Sequence, residues 1–293
     1  MKTETSQGFE IRTKRINDAV ELKKPDRVPI FPWFHLFPAR YVGMTYEEAF
    51  YDVDRWLAAN EKTILDYDPD LYTQPSAAIS AAGAAHEALD NQQIKWPGHG
   101  VAPTRSFQFV EGEYMKAEEY DEFLNDPADW TLRKYLPRIY GALEGFGMLP
   151  PITSLLAGYA GAGIVGILSA PPVAASMDAL LKAAQISGRW SMAYGQFEQK
   201  MNALGYPSFA AGVALAPYDL ISDMMRGMRG TMVDMYRCPD KLLAAMEKIL
   251  PVQIGGAIGQ AHMSGNPRIF IPLHRGADGF MSNEQFETFY WPT

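Results

Sequence analysis

The sequence predicts an α/β fold, with a (β/α)8 barrel as first choice and a doubly wound sheet as second. Three observations carry this. Apolar β-like runs alternate with helical stretches along the whole chain, the pattern of a parallel sheet covered by helices. The length, 293 residues, accommodates a barrel of about 250 residues. No composition break or linker divides the chain, so residues 1–293 read as one domain with an insertion at about 76–116. A dinucleotide-binding doubly wound sheet calls for G-x-G-x-x-G after a strand, and no such motif stands there.

Each element has its own justification. Arg12 to Leu22 reads as a short amphipathic helix closed by the KKPDR turn, and VPIFPWFH (Val28–His35) as a buried strand, a continuous apolar run after a turn. Thr45 is a credible N-cap, with Glu47 and Glu48 in the first turn of a helix expected to reach about Tyr67. DPDLYTQP reads as a second short strand. The insertion contains the WPGHG turn and ends in the alternating SFQFVEGEYM, a hairpin strand. Helical periodicity runs from Ala117 to Gly145, with a fresh start at DPADW. Gly163 to Leu168 reads as a strand, Val173 to Leu204 as a long helix, and Ser208 to Leu215 as an apolar strand. Pro217 opens a helix to about Arg229, and Pro239, at a first helical position, opens another to about His262. Arg268 to Leu273 is the clearest strand, followed by a helix capped by Ser282 or Asn283.

Composition narrows the function classes. Apolar residues make up 47% and charged residues 20%, which argues against disorder. The net charge of −8 repels nucleic acid and anionic membrane, leaving small molecules or other proteins as partners. The single cysteine, Cys238, excludes an internal disulfide and a Cys-based four-ligand zinc site. The polar N-terminus lacks a signal-peptide core, and the weakly polar run Leu149 to Ala175 is broken by prolines and glycines. A cytoplasmic protein with no membrane partner is the expectation.

In a parallel barrel the chemistry gathers where strands end. His274 leaves the last strand directly, with Arg275 beside it and Asp278 nearby; these neighbours suit an imidazole held in one tautomer. The competing account is a strand-end histidine bonded to a carbonyl, with Arg275 and Asp278 forming a turn salt bridge. The first strand ends at His35, with Arg40 and Tyr41 close behind, and the second near Tyr72, Thr73 and Gln74. Arg40, in an apolar setting, suits clamping a substrate carboxylate, or else a rim salt bridge. His35 sits among aromatics, where a satisfied core histidine is the commoner outcome. His86 and His99 suit surface roles in the insertion. Cys238 suits a buried helix cap, with a thiol of lowered pKa as the rival.

Several segments together resemble the uroporphyrinogen decarboxylase superfamily: KPDRVPIFPWFH, APYDLISDMMRGMRGTMVDMYRCPDKLLAAMEKI and IPLHRGADGFMSNEQFETFYWP, in order along nearly the whole chain. The resemblance implies a (β/α)8 barrel and one of two activities, tetrapyrrole decarboxylation or methyl exchange with a corrinoid. The decarboxylase opening carries two carboxylate-binding arginines. PWFHLFPARY keeps only the second, as Arg40 with Tyr41, and an apolar residue near Leu36–Phe37 replaces the first. LYTQP lacks the aspartate that the decarboxylases place at the second strand end to hold pyrrole N–H groups. The methyltransferase branch holds zinc with an H-x-C pair and a later cysteine, after the F-x-x-F-x-x-P helix. This chain stops at Trp291-Pro292-Thr293, so the resemblance places those ligands beyond residue 293 and leaves the barrel without its last strands.

The resulting expectation is a corrinoid-dependent methyltransferase that moves a methyl group between a small methylated substrate and a cobalamin carrier protein. His274, Arg275 and Asp278 would be its catalytic group, and Arg40, Tyr41, His35 and Gln74 would bind substrate. No metal ligand is expected within residues 1–293. Uroporphyrinogen decarboxylation without a cofactor is the first alternative, and a non-catalytic corrinoid-binding or scaffold barrel the second. A homodimer is left open.

Overall fold

The structure, a computed structural model, describes residues 4–154, 156, 161–277 and 279–293. In chain order its elements are α1 (Glu4–Val20), α2 (Phe37–Tyr41), α3 (Tyr46–Tyr51), α4 (Val53–Tyr67), α5 (Pro75–Ala78), α6 (Gly83–Leu89), β1 (Ile94–Pro97), β2 (Gly100–Val101) and β3 (Gln108–Phe109). Then come α7 (Tyr120–Asn125), α8 (Pro127–Trp130), α9 (Leu136–Ile139), α10 (Gly161–Leu168) and α11 (Pro171–Ala203). The remainder is β4 (Gly212–Val213), α12 (Pro217–Leu220), α13 (Gly227–Arg237), α14 (Pro239–Ser264), β5 (Ile269–Phe270) and α15 (Asn283–Gln285). Turns of π-helix at Thr131–Tyr135, Ile221–Met225 and Phe286–Tyr290 extend α8, α12 and α15.

The chain is therefore mainly helical with short strands, and no closed barrel forms among the described residues. The apolar runs expected as strands pair little, and their sequence shows why. Val28–His35 is not a strand: Pro29 and Pro32 lack backbone donors, and the Ile30 carbonyl takes the N–H groups of both Asp70 (2.8 Å) and Leu71 (3.4 Å) where a ladder would pair successive residues. Of Ser208–Leu215 only β4 pairs as a strand. Of Arg268–Leu273 only β5 does, with Pro272 two residues beyond it. Gly163–Leu168, expected as a strand, lies within α10; an unbroken apolar run bounded by glycine fits a helix segment as well as a strand.

The residues fall into two compact units. The first comprises Met1–His86, Lys95–Gln108 and Ala183–Ala210. Its core joins Ile64, Tyr72, Phe197, Met201 and Tyr206. Tyr72 bridges Ser208 in parallel, with the Phe209 N–H on the Tyr72 carbonyl at 2.9 Å, and Phe31 stacks on Phe209 with ring centroids 4.3 Å apart. Asp70, fully buried, accepts from Arg27 (2.7 and 2.9 Å), the Ile30 N–H (2.8 Å) and Arg15. Thr45 caps α3 as expected, in a reciprocal box with Glu48, but Asp52 breaks the helix and caps α4 in turn. In the WPGHG turn Gly98 has φ +84°, and a Cβ there would lie 2.3 Å from the Glu47 carboxylate, so the turn requires glycine.

The second unit comprises Glu87–Ile94, Phe109–Lys182 and Ala211–Thr293. Its core includes Tyr120, Phe123, Trp130, Tyr218, Ile221 and Met246. Asp126 caps α8 through the Asp129 N–H (3.0 Å), as DPADW suggests, and Ser282 caps α15 in a box with Gln285. β4 and β5 pair in parallel, Gly212 with Ile269 and Val213 with Phe270. Helix α14 starts at Pro239 and ends at Gly265 in the left-handed region. By length and composition it is apolar enough to cross a membrane, with a mean hydropathy of 1.3 over its best window. Leu242, Ala245 and Met246 of its first half are core residues, whereas Val252, Ile258 and Met263, beyond Pro251, are exposed.

Candidate acid–base site

β5 delivers His274 and Arg275 to one end of α12. The anchor is Asp219, fully buried, which accepts the backbone N–H groups of His274 (2.9 Å) and Arg275 (3.0 Å) and the Tyr290 hydroxyl (2.6 Å). Three donors on one carboxylate offset the cost of burying its charge. They also fix the backbone of the post-strand turn. Gly276 belongs to the same construction: a Cβ there would come within 2.8 Å of the Tyr290 ring, so a side chain at 276 would push the hydroxyl off Asp219. Burial drives the Tyr290 phenol well above its ordinary pKa, and Asp219 adds to this, which keeps the proton on the donor. Beside it, burial pushes Tyr218 up to about 12.

One turn further along, Asp223 takes the His274 Nδ1 at 2.6 Å and Nη2 of Arg275 at 2.8 Å, while the Arg275 Nε donates to Ser222 Oγ at 3.2 Å. An ionised carboxylate only accepts, so Nδ1 carries the proton and Nε2 is left free to take or give one. The His274 side chain is 49% exposed and that of Asp223 15%, so the carboxylate orients the ring from inside while the ring meets solvent. Arg275 also lies over the Phe280 ring, 5.2 Å from its centroid. The arrangement can hold a proton at Nε2, stabilise an imidazolium, and offer the remaining Arg275 donors to an anion.

The sequence singles out His274 and Arg275; the structure brings to them Asp219, Ser222, Asp223 and Tyr290, which the sequence does not. Asp219 and Asp223 stand four apart in PYDLISDMM, a spacing that places both on one helix face. The expected partner, Asp278, lies outside the described residues. Arg275 pairs with Asp223, and the His274 ring is held by a carboxylate in place of the backbone carbonyl of the competing account.

The other four candidates belong to the first unit, and among the described residues none hydrogen-bonds another. Arg40, in the last turn of α2, is exposed and has no ion-pair partner among those residues. The Tyr41 hydroxyl donates to Asp66 (2.9 Å), which also pairs with Lys62 (2.6 Å). This is a solvated surface cluster, and the hydrogen bond to Asp66 raises the Tyr41 phenol. His35 has φ +46°, lies 5.9 Å from the Phe107 ring and is only partly buried, outside the core of its unit; that burial holds it below the usual histidine range. Gln74 precedes α5, and its amide donates to the Ala210 carbonyl, a structural use. His86 is buried against Trp96, ring centroids 5.0 Å apart, so it is no surface residue of the insertion. Burial, reinforced by Asp234, pushes the Cys238 thiol up, the opposite of a lowered thiol pKa; the residue holds the N-cap position of α14 without a side-chain cap hydrogen bond.

Among the described residues no three His, Cys, Asp or Glu side chains come together as a metal site. Comparison with family models, with curated proteins and with solved structures found no match to this chain.

Proposed function

We propose that the protein is an acid–base enzyme acting on a dissolved small molecule, and specifically a methyltransferase that exchanges a methyl group between a small methylated compound and a cobalamin carrier protein in the cytoplasm. A barrel architecture belongs to the same proposal; what supports it is that Tyr72–Ser208 and β4–β5 both pair in parallel. The observation that carries the function is the Asp223–His274 pair with Arg275 beside it. When a methyl group leaves a heteroatom, the C–X bond breaks with its electron pair on X, and X needs a proton. His274, as an imidazolium stabilised by Asp223, gives that proton from Nε2; in the reverse direction the free Nε2 takes it. Arg275 binds an anionic group of the substrate and orients it. Reduced cobalamin, when presented, supplies the electron pair that accepts the methyl group. The described residues do not compose a zinc site.

The test is transfer from a panel of methylamines, methyl ethers and methyl thioethers to cob(I)alamin, followed by its visible spectrum. The expected result is turnover that His274→Gln lowers by about 10²–10⁴-fold in kcat, the range general acid–base catalysis supplies. Absence of transfer across the panel overturns the methyltransferase reading. Release of carbon dioxide from a porphyrinogen carboxylate would put the decarboxylase in its place, with His274 protonating carbon.

A further inference from the structure

The same unit contains an apolar cavity whose walls include Leu220 and Met225, which flank the segment that holds His274. It has a volume of about 220 Å3, and its walls come from α7, α8, α12, α14 and the two π-helical turns that follow α8 and α12. Phe123, Trp130, Tyr135, Leu220 and Ile249 make it apolar. The one charged side chain lining it is Lys248, exposed, which has no acidic partner among the described residues. An apolar cavity of about 150 Å3 admits benzene, so this one has room for a phenyl ring and a short substituent. An unpaired ammonium beside an apolar wall selects a monoanion with an apolar body.

The cavity is wired to the acid–base site through few atoms. Leu220 and Met225 line it, and between them Ser222 and Asp223 hold Arg275 and His274. Tyr135, stacked on Trp130 with ring centroids 5.6 Å apart, donates its hydroxyl to the Met224 carbonyl at 2.9 Å, and Gln93 Nε2 donates to the same carbonyl at 2.9 Å. Met224 directly follows Asp223 and sits in the π-helical turn Ile221–Met225. A single π-helical turn is rare and recurs at functional sites. We propose that this cavity is an effector site for a small aromatic carboxylate, and that its occupation shifts the π-turn and with it the hold of Asp223 on His274. The ligand's ring enters between Trp130, Tyr135 and Leu220, and its carboxylate faces Lys248.

Phenylacetate is the probe, titrated into the whole chain while the Trp130 indole N–H and the His274 ring signals are followed by NMR, so no turnover is needed. The expected result is a saturable shift of both signals with one dissociation constant. Lys248→Met should weaken binding three- to five-fold, as an exposed charge pair does, and uncharged benzyl alcohol should bind more weakly by a similar factor. Val252→Trp, at an exposed position of the wall, should close the cavity and abolish both shifts without unfolding the protein. No saturable shift of Trp130, or equal binding by the Lys248 variant, overturns the site. A Trp130 shift that leaves His274 unmoved overturns the coupling. Because both readouts are independent of methyl transfer, failure of the proposed activity leaves this test intact.

Discussion

With Asp223 2.6 Å from the Nδ1 of His274, the ring has one working nitrogen, and replacing the carboxylate by its amide tests the value of that arrangement. Asp223→Asn keeps the shape but can bond either ring tautomer, and it frees Arg275 from its charge partner. The expected outcome is a loss of about 10²-fold or more in kcat with little change in KM, measured in the same methyl-transfer assay. Stability at the residue scale has its own pH signature. Burial lowers His86 from 6.5 to about 4, so between those values the unfolded chain binds a proton that the folded chain refuses. This contribution is complete above about 6.5 and is lost as the pH falls to about 4, on the order of 3 kcal/mol in all. Glu119, lowered to about 2 chiefly by its hydrogen bond from Arg138, acts in a different window, its contribution lost as pH falls from 4.5 towards 2. Urea unfolding at pH 7, 5.5, 4 and 3 separates them: His86→Phe should flatten the slope above pH 4.5 and leave the fall below it in place. Neither Asp219 nor Asp223 stands out as a site residue in the sequence, because a barrel places its chemistry at strand ends and these two reach the site from α12 and the π-helical turn after it. The strand-end rule finds what a strand delivers and is blind to the residues that receive it.

At the scale of elements, caps were legible and pairing was not. Thr45, Asp126 and Ser282 cap helices as their local sequence dictates, since a cap is decided within four residues. A strand is decided by a partner far along the chain, and Pro29, Pro32 and Pro272 deny that partner its donors. Elements are also pinned by charge. Arg226, 4% exposed, lies at the start of α13, donates to Asp234 at 2.6 Å and to the Met115 carbonyl at 2.6 Å, and pairs with Glu113; Tyr120 completes the group on Asp234 at 2.9 Å. This ties α13 to α7 and to the chain before it. Removing one partner leaves the other charged and buried, which costs about 3–5 kcal/mol, whereas apolar replacement of both is often nearly neutral. Arg226→Met is therefore expected to lower the urea unfolding free energy by that amount, and Arg226→Met with Asp234→Leu to recover most of it. Equal losses in the single and double variants would show that packing, and not the charge, holds the joint.

For the whole molecule, alternation of apolar runs conveyed the α/β class, and the resemblance to a barrel superfamily supplied the finer expectation. What the runs did not disclose is their use as short paired stretches within two compact units, because a period-two or continuous apolar pattern says which side chains are buried and not how many backbone groups find partners. The same balance of apolar and charged surface sets a solution property. Val252, Ile254, Ile258 and Met263 are all exposed on the later half of α14, and the net charge of −8 at pH 7 keeps such surfaces apart by repulsion. Near the pI of about 5.2 that repulsion vanishes, and solubility should pass through a minimum there and return at higher pH. Replacing Ile254 and Ile258 by glutamate adds two negative charges and removes two exposed apolar side chains. The minimum should then become shallower and move to lower pH, measured as the concentration left after centrifugation across pH 4–8. Because His86 loses its stabilising contribution over part of the same range, the comparison must be paired with thermal melts at low concentration. Unchanged melts with a displaced minimum place the effect on the surface of α14; melts that move with the solubility return it to unfolding, and the surface argument fails.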